Sequence, residues 1–341
     1  MKIGIVTVYE PTTNLGSFLQ TFALQEVLKS YGHEVYIVQC HSTYESVGKV
    51  IFKINPKREF FLRLKRAKYS LQDIKKLKLI KRENINKLDG LVYGSDEIWN
   101  LDNVYFQDGL FWGENIETSK ISYAVSAGAV DENRILNHDS FKNSISNFNH
   151  ILVRDVRTQE IIEKITNTKN DIVCDPTMLI PVTEMAGNIK PLNYRYILVY
   201  TYGIDAPLID HIKKFAAEHD LKIVSAFFWH IWADQVIECS ALQFSTYIKN
   251  ADYVFTSTFH GAVFTMLNHK KCCIFPYRSK VKSIVQQMQE EKHLIEENCT
   301  YDEFKETMNL DYDDDAFEAR LKEYREFSHN KLKEALKCLE K

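Results

Sequence analysis

Residues 3–8, IGIVTV, form a short run of apolar and β-branched side chains that is typical of a buried strand. After a polar loop, the stretch 18–32, FLQTFALQEVLKSYG, carries apolar residues at helical spacing and ends at Gly32. A second strand-like run, VYIVQC, occupies 35–40. Strand, loop, helix and strand in this order predict a βαβ unit, and therefore a parallel sheet with a right-handed crossover.

Strand-like and helix-like runs continue to alternate along the chain. Further apolar runs are LDGLVYG (88–94), ISYAVSAG (121–128), HILVRD (150–155), DIVCDP (171–176), YILVYTYG (196–203), LKIVSAFFW (221–229), ADYVFTSTF (251–259) and KCCIFPY (271–277). The pattern breaks near residue 190, at KPLNYR, and then restarts. This alternation predicts an α/β protein with two Rossmann-like parallel-sheet domains that face a cleft.

We place the domain boundary between residues 187 and 188. Residues 1–187 then form an N-terminal Rossmann-like domain, 188–315 form a C-terminal one, and 316–341 form a helix that packs back toward the N-terminal domain. Residues 53–87 hold 13 Lys or Arg against three acidic residues, and we interpret them as a basic helical insertion in the first domain. This insertion either contacts an anionic membrane surface or is a solvated helical face.

The composition excludes several classes of protein. The 341 residues include 43 Lys or Arg and 46 Asp or Glu, and the net charge of −3 lacks the basic excess of a nucleic-acid binder. No apolar run reaches the roughly 18 residues that indicate a transmembrane helix, and the first residues lack the apolar core of a signal peptide. The seven cysteines form no CxxC pair, which predicts reduced thiols. We therefore expect a cytoplasmic protein with no nucleic-acid partner and at most a peripheral membrane contact.

The residues that follow each predicted strand are candidates for a site, because ligands of open parallel sheets bind beyond the carboxyl ends of the strands. The first loop has one glycine where a dinucleotide fingerprint has three, and no P-loop motif occurs, which disfavours a dehydrogenase or an NTPase. The cations among the candidates predict a small polyanion as ligand, and no metal-binding motif lies near them. The candidates include Asn14, Gly16, Ser95, Asp96, Ser126, Arg154, Thr258, His260, Arg278 and Lys280.

Each main candidate also has a purely structural explanation. The turn at Asn14 and Gly16 suits an anion at a helix N-terminus and an ordinary helix cap equally well. Arg154 directly follows an apolar run, so it either pairs with a buried carboxylate, such as that of Asp175, or binds an anionic ligand. His260 lies at a strand-to-helix junction, which suits either acid–base catalysis or a structural hydrogen bond.

Six motifs occur in a fixed order and together resemble one family. They are NLGSFLQTFALQ (14–25), LDGLVYGSDEIWN (88–100), YAVSAG (123–128), ILVRDVRTQEII (151–162), CDPTMLI (174–180) and ADYVFTSTFHGAVFTMLNHK (251–270). The set is similar to the motifs of the polysaccharide pyruvyl transferase family, and the resemblance covers about residues 1–285.

The resemblance implies a fold like that of GT-B glycosyltransferases and a ketal-forming transferase. The lack of a metal-binding motif near the candidates predicts that the enzyme is metal-independent. Such an enzyme moves the enolpyruvyl group of phosphoenolpyruvate onto a sugar of a cell-surface polysaccharide or its lipid-linked precursor. Phosphoenolpyruvate is then the donor substrate and no cofactor is required. A lipid-linked acceptor would bring the protein to the inner face of the membrane.

The resemblance also implies roles for the candidates. His260, Arg154 and Lys280 match family motif positions and are the expected catalytic residues, with the two cations binding the donor. His260 acts either as acid–base catalyst or by binding the phosphate. Asp96 is a candidate base for the sugar hydroxyl, with helix capping as its alternative. The remaining candidates bind substrate: Asn14, Gly16, Ser95, Ser126, Thr258 and Arg278.

Two departures from the family pattern leave other functions open. The usual T-D-S-F-H is T-S-T-F-H here, so Ser257 replaces an acid, and the usual GSDQ ends in Glu97. The alternatives are a nucleotide-sugar-dependent glycosyltransferase of the same architecture and a non-catalytic sugar-binding member of the family.

Overall fold

The computed structural model of the protein describes residues 1–40 and 57–340. Contacts among them define two compact units. Unit 1 contains residues 1–40, 73–180 and 322–340, and unit 2 contains residues 57–72 and 181–321. The division after residue 180 lies seven residues before the boundary placed from the sequence. Each unit is an α/β structure on a parallel sheet, which confirms the predicted fold class.

The secondary structure of the described residues alternates as the sequence predicts. The strands are β1 (Lys2–Val6), β2 (Glu34–Val38), β3 (Leu79–Ile80), β4 (Gly90–Tyr93), β5 (Lys120–Ser122), β6 (Leu152–Val153), β7 (Asp171–Ile172), β8 (Tyr196–Tyr200), β9 (Lys222–Ala226), β10 (Gln235–Ile237), β11 (Tyr253–Thr256) and β12 (Cys272–Ile274). The helices are α1 (Leu15–Ser30), α2 (Lys57–Ile74), α3 (Glu132–Leu136), α4 (Asp139–Ile145), α5 (Val156–Thr166), α6 (Pro176–Leu179), α7 (Ala206–Glu218), α8 (Ala241–Asn250), α9 (Phe259–Leu267), α10 (Ser279–Gln287), α11 (Tyr301–Asn309) and α12 (Asp314–Lys337). None of these helices is both long enough and apolar enough to span a bilayer.

The sheet of unit 1 has the strand order β3-β2-β1-β4-β5, and every neighbouring pair is parallel. β1 lies at the centre, and its Ile3 and Ile5 are fully buried, as expected for a strand covered on both faces. Isolated bridges connect Val125 with Asp96 and with Val153. The segment after β4, the segment after β5 and strand β6 itself therefore meet at the carboxyl edge of the sheet.

The sheet of unit 2 has the order β10-β9-β8-β11-β12 and is also parallel throughout. Thr256, the last residue of β11, is in register with Tyr200 of β8 and Ile274 of β12. The residues after these three strands consequently lie side by side. The sequence did not predict β10, and the predicted runs are longer than the strands because their last residues form the loops of this edge.

Of residues 53–87, which the sequence interpretation assigned to the first domain, 53–56 lie outside the described residues and 73–87 belong to unit 1. Residues 57–72 of helix α2 group with unit 2 instead. The physical reason is one arginine. Arg66 donates from Nε to Glu238 Oε2 (3.0 Å) and from Nη2 to Glu238 Oε1 (2.8 Å), and its guanidinium lies 4.8 Å from the centre of the Trp229 ring. Since the Glu238 carboxylate is fully buried, this pair fixes the helix to the residues around β10.

Helix α12 contributes to both units. In unit 2, Arg320 Nη2 donates to Glu290 Oε1 (2.5 Å). In unit 1, Arg325 Nε donates to the carbonyl oxygen of Met178 (2.7 Å). The sequence interpretation described 316–341 as a helix that packs toward the N-terminal domain, and the contacts assign its residues from 322 onward to unit 1 and those before to unit 2.

A buried histidine in unit 2 makes stability depend on pH. His293 is fully buried, and its ring stacks on Tyr312 with centroids 4.3 Å apart. Burial lowers the pKa of His293 to about 4, and the positive charge of Lys292 acts in the same direction. Glu290 Oε2 lies 3.7 Å from His293 Nε2. The imidazole is therefore neutral in the folded protein at neutral pH.

We predict that protonation of His293 lowers the free energy of unfolding by about 3 kcal/mol as the pH falls from 6.5 to 4. The unfolded chain takes up a proton at His293 near pH 6.5, whereas the folded chain takes it up only near pH 4. Urea unfolding of the wild type and of His293→Phe, which keeps an aromatic ring, measures the effect as the difference between two pH profiles. If the free energies of unfolding of the two proteins changed with pH by the same amount, the prediction would be wrong.

Candidate active site

A buried ion pair organises the carboxyl edge of unit 1. The Asp175 carboxylate is fully buried, and its Oδ2 accepts from Arg154 Nη1 (3.0 Å) and from the Ser95 hydroxyl (3.1 Å). Its Oδ1 caps α6 by accepting from Thr177 N (3.1 Å) and the Thr177 hydroxyl (2.7 Å). The internal partner considered for Arg154 from the sequence is thus the one present.

Asp96 brings a second carboxylate to the same guanidinium. Its Oδ1 lies 3.7 Å from Arg154 Nη2. Burial opposes the charge of Arg154, but Asp175 and Asp96 outweigh it and hold the pKa of the guanidinium above its ordinary value. Two carboxylates facing one cation make this edge less positive than the sequence indicated. Asp96 also has a φ of 73°, a left-handed conformation that is unusual outside glycine and is often found at functional sites.

The other predicted residues of unit 1 hold the surrounding loops in place. Asn14 Oδ1 accepts from Gly16 N (2.9 Å) and caps α1, so the capping alternative is the interaction present. Ser126 is buried; its N–H donates to the Asp96 carbonyl oxygen (2.9 Å), and its hydroxyl accepts from Gly128 N (3.0 Å).

Gln20 is a member of this edge that the sequence reasoning did not single out. It is fully buried, its Nε2 donates to the carbonyl oxygen of Val8 (2.8 Å), and its Oε1 accepts from Ser95 N (3.1 Å). It thereby ties the loop after β1 to the loop after β4. Its place in the first motif, on the buried side of α1, is the signal that could have identified it.

The carboxyl edge of unit 2 is built on the segment that links β11 to α9. The Thr258 hydroxyl accepts from Gly261 N (3.0 Å) and caps α9, which places His260 in the first turn. A Cβ at position 261 would collide with the hydroxyl oxygens of Thr256 and Thr258, so the turn requires glycine. His260 is buried and packs edge-on against Phe259, with ring centroids 5.1 Å apart.

Ser257 joins the loops that follow β8 and β11. Its hydroxyl lies 2.5 Å from that of Thr201 and accepts from Tyr202 N (3.2 Å). The residue that departs from the usual acid of the family therefore has a defined structural role here.

The predicted cations of unit 2 lie at the start of α10. Lys280 Nζ is 5.9 Å from the centre of the Phe259 ring, the ring that also packs against His260. Arg278, the N-cap residue of α10, is exposed and lies 5.4 Å over the ring of Tyr202. The structure thus brings His260, Lys280 and Thr258 to one edge of unit 2, together with Arg278. Arg154 belongs to unit 1.

His230 is a further polar residue of this edge that the sequence reasoning missed. Its Nε2 lies 3.0 Å from the carbonyl oxygen of Thr201. A carbonyl can only accept, so Nε2 carries the proton of the neutral ring and Nδ1 holds the lone pair. Burial lowers the pKa of His230, which favours this neutral form. Its position directly after the strand-like run 221–229 is the signal that could have identified it.

No group of three or more His, Cys, Asp or Glu side chains within residues 1–40 and 57–340 has the arrangement of a metal site. The edge of unit 2 offers cations at the start of α10, two histidines and several hydroxyls. Such a set can bind an anion and transfer protons.

We predict that Arg154→Ala lowers the free energy of unfolding by about 3–5 kcal/mol, because it leaves the buried Asp175 carboxylate without its cation. Urea denaturation at pH 7 measures the loss. Arg157→Ala is the matched control, since Arg157 is an exposed arginine three residues away and should cost less than about 1 kcal/mol. Equal stabilities of the two variants would show that Asp175 does not depend on Arg154.

Solved structures similar to this chain share its fold. The UDP-GlcNAc 2-epimerase from Methanocaldococcus jannaschii has a TM-score of 0.54 at 10% identity and covers 91% of this chain and 92% of its own. A putative UDP-N-acetylglucosamine 2-epimerase from Listeria monocytogenes has a TM-score of 0.56 at 9% identity, with 97% and 90% covered. The spinosyn forosaminyltransferase SpnP has a TM-score of 0.54 at 10% identity, with both chains covered completely. At such low identity these likenesses establish the GT-B fold alone.

Sequence comparison identifies the family. No curated protein matches the chain significantly. The profile of the family described as polysaccharide pyruvyl transferase matches residues 14–279, which span all six motifs and Arg278 and end one residue before Lys280. Since this match extends over most of the sequence, the chain belongs to the polysaccharide pyruvyl transferase family.

Proposed function

We propose that the protein transfers the enolpyruvyl group of phosphoenolpyruvate to a sugar and closes it as a pyruvate ketal. The observation that carries this proposal is the edge of unit 2, where His260, Lys280 and Arg278 lie at the starts of two helices. A donor with a phosphate and a carboxylate needs fixed cations and N–H groups, and both are offered there.

The donor occupies the unit 2 edge in this proposal. Lys280 and Arg278 bind its two anionic groups, and the N-terminus of α9 adds the positive end of a helix dipole. The Thr258 hydroxyl orders the first turn of α9 by capping it. Because these cations supply the positive charge themselves, the transfer requires neither a metal ion nor a cofactor.

The chemistry consists of two additions to one carbon. A sugar hydroxyl attacks C2 of phosphoenolpyruvate while C3 takes up a proton and becomes a methyl group. The bond from C2 to the phosphate oxygen then breaks, and a second hydroxyl of the same sugar closes the ketal. Of the two hydroxyl protons, one balances the new methyl group and the other leaves with the phosphate. His260 is the residue that we assign to these proton transfers.

The acceptor occupies the edge of unit 1. Asp96 is the candidate base for the first hydroxyl, and Asn14, Gly16, Ser95 and Ser126 order the loops around it. Arg154 acts there by holding Asp175 and Asp96 in position. We propose as acceptor a sugar of a cell-surface polysaccharide or of its lipid-linked precursor, the latter reached at the inner face of the membrane.

A nucleotide-sugar-dependent glycosyltransferase is the second candidate, favoured by aromatic side chains at the unit 2 edge. The ring of Tyr202 lies 5.2 Å from that of Phe228 and 6.0 Å from that of Tyr277. A nucleobase or a sugar could stack on such rings. The third candidate, a non-catalytic sugar-binding protein, was suggested by Ser257, but this hydroxyl is integrated into the edge by Thr201 and Tyr202.

We predict that phosphoenolpyruvate raises the melting temperature of the protein by several degrees at about 100 times its dissociation constant, through mass action on the folded state. UDP- and GDP-sugars at equal concentration should leave it unchanged. A thermal-shift series measures this. Protection by a nucleotide sugar and none by phosphoenolpyruvate would favour the glycosyltransferase.

Lys280→Met should weaken phosphoenolpyruvate binding about 10- to 100-fold, the typical effect of losing one charge-assisted hydrogen bond. Lys282→Met is the matched control, because Lys282 is an exposed residue of the same helix. Isothermal titration calorimetry compares the two variants with the wild type. Equal affinities of the two lysine variants would refute the donor assignment.

His260→Asn should retain the binding of phosphoenolpyruvate within a few-fold, while the release of phosphate in the presence of an acceptor is lost.

A further inference from the structure

One face of helix α2 has an unusual combination of exposed side chains. Phe60 is 46% exposed, Phe61 is 69% exposed and Leu64 is 39% exposed. The exposed residues recur at positions that share one side of a helix. We call this surface the Phe61 face of α2, and it comprises Phe60, Phe61, Leu64, Lys65, Lys68 and Gln72.

The opposite face of α2 is fixed to unit 2. Arg66 forms its two hydrogen bonds with the buried Glu238, and Arg63 is buried with its guanidinium 5.2 Å from the centre of the Trp229 ring. Ala67 is buried on the same side. Because the face of α2 that carries Arg63, Arg66 and Ala67 packs on unit 2, the Phe61 face points to the solvent.

Exposed apolar side chains elsewhere in the described residues do not form such a set. Val104, Val156 and Ile231 are strongly exposed, but each lies in a different element or loop. Single exposed apolar residues are common on protein surfaces and need no partner. Three within five residues on one helix face are a patch, and patches indicate an interaction surface.

The charge of the patch indicates which partner fits. Residues 60–72 contain four Lys or Arg and no Asp or Glu. Of these four, Arg63 and Arg66 face unit 2, whereas Lys65 and Lys68 are exposed on the Phe61 face. Aromatic and aliphatic side chains beside lysines on one helix face are suited to the boundary between lipid headgroups and acyl chains of an anionic bilayer.

We propose that the Phe61 face of α2 binds the surface of a membrane that contains anionic lipids. Phe60, Phe61 and Leu64 enter the interfacial layer, and Lys65 and Lys68 contact lipid phosphates. The inference extends the proposed function, because a membrane-bound protein meets a lipid-linked acceptor directly. It is nonetheless a property of the surface and does not depend on pyruvyl transfer.

The test is sedimentation of the whole 341-residue chain with vesicles of phosphatidylcholine alone or with about 30% phosphatidylglycerol. We expect binding to the anionic vesicles that falls when salt is raised from 0.1 to 0.5 M, since salt screens the attraction of the lysines. Lys65→Gln with Lys68→Gln should lower the partition coefficient about 30-fold. Phe61→Asp should lower it by about tenfold or more.

The matched control is Val104→Asp, which places the same charge at a residue that is 79% exposed in unit 1. It should bind vesicles as the wild type does. All substitutions lie at exposed positions, and unchanged melting temperatures show that the variants are folded. Absence of vesicle binding by the wild type, or equal binding by the two aspartate variants, overturns the proposal.

Two further outcomes separate the possible explanations. A dimer in sedimentation velocity that Phe61→Asp abolishes, without vesicle binding, would identify a second copy of the chain as the partner and overturn the membrane assignment. Vesicle binding without stabilisation by phosphoenolpyruvate would retain the membrane surface and reject the proposed function. Stabilisation without vesicle binding would do the reverse.

Discussion

Parallel pairing of strands is the constraint on which both candidate edges depend. Parallel strands run in the same direction, so all of them end at the same edge of the sheet, and each connection returns along the length of the strands to start the next one. In unit 2, Thr256 is level with Tyr200 and Ile274, and this register places the hydroxyls after β11 beside the aromatic and basic residues after β8 and β12. Side chains more than 50 residues apart in the sequence become neighbours for that reason.

The two edges differ in how they use charge. In unit 1, the buried carboxylate of Asp175 pairs with the buried guanidinium of Arg154, and the carboxylate of Asp96 lies close to the same guanidinium. The positive charge of Arg154 is therefore neutralised inside the protein. In unit 2, the positive groups stand at the starts of helices and beside aromatic rings. A buried ion pair fixes geometry, whereas partly exposed cations remain suited to a ligand. This contrast is why the proposal assigns the anionic donor to unit 2.

Much of this arrangement could be predicted from the sequence, because strand ends and helix periodicity are local signals. The strand-end criterion found Ser95, Arg154, Thr258 and His260, and the sequence placed the first βαβ unit correctly. Partner choice depends on contacts that no local pattern encodes. The commitment of Arg154 to Asp175 therefore remained one of two alternatives.

Long-range pairing also explains what was missed or assigned differently. Helix α2 groups with unit 2 because Arg66 meets Glu238, 172 positions further along the chain. Gln20 and His230 owe their importance to backbone carbonyl and amide groups of other loops, which any sequence supplies at every residue. Short strands such as β10 carry too few residues for a periodicity to be visible.

The hydroxyl at position 257 has a consequence for ligand discrimination. A carboxylate there could accept the same hydrogen bond from Tyr202 N, but it would add a negative charge beside the first turn of α9. At physiological ionic strength the electrostatic field of one charge fades over roughly 8 Å. The presence of Ser257 in place of an acid therefore changes the local preference for multiply charged ligands. It leaves the long-range attraction of such ligands to the protein as a whole nearly unaltered.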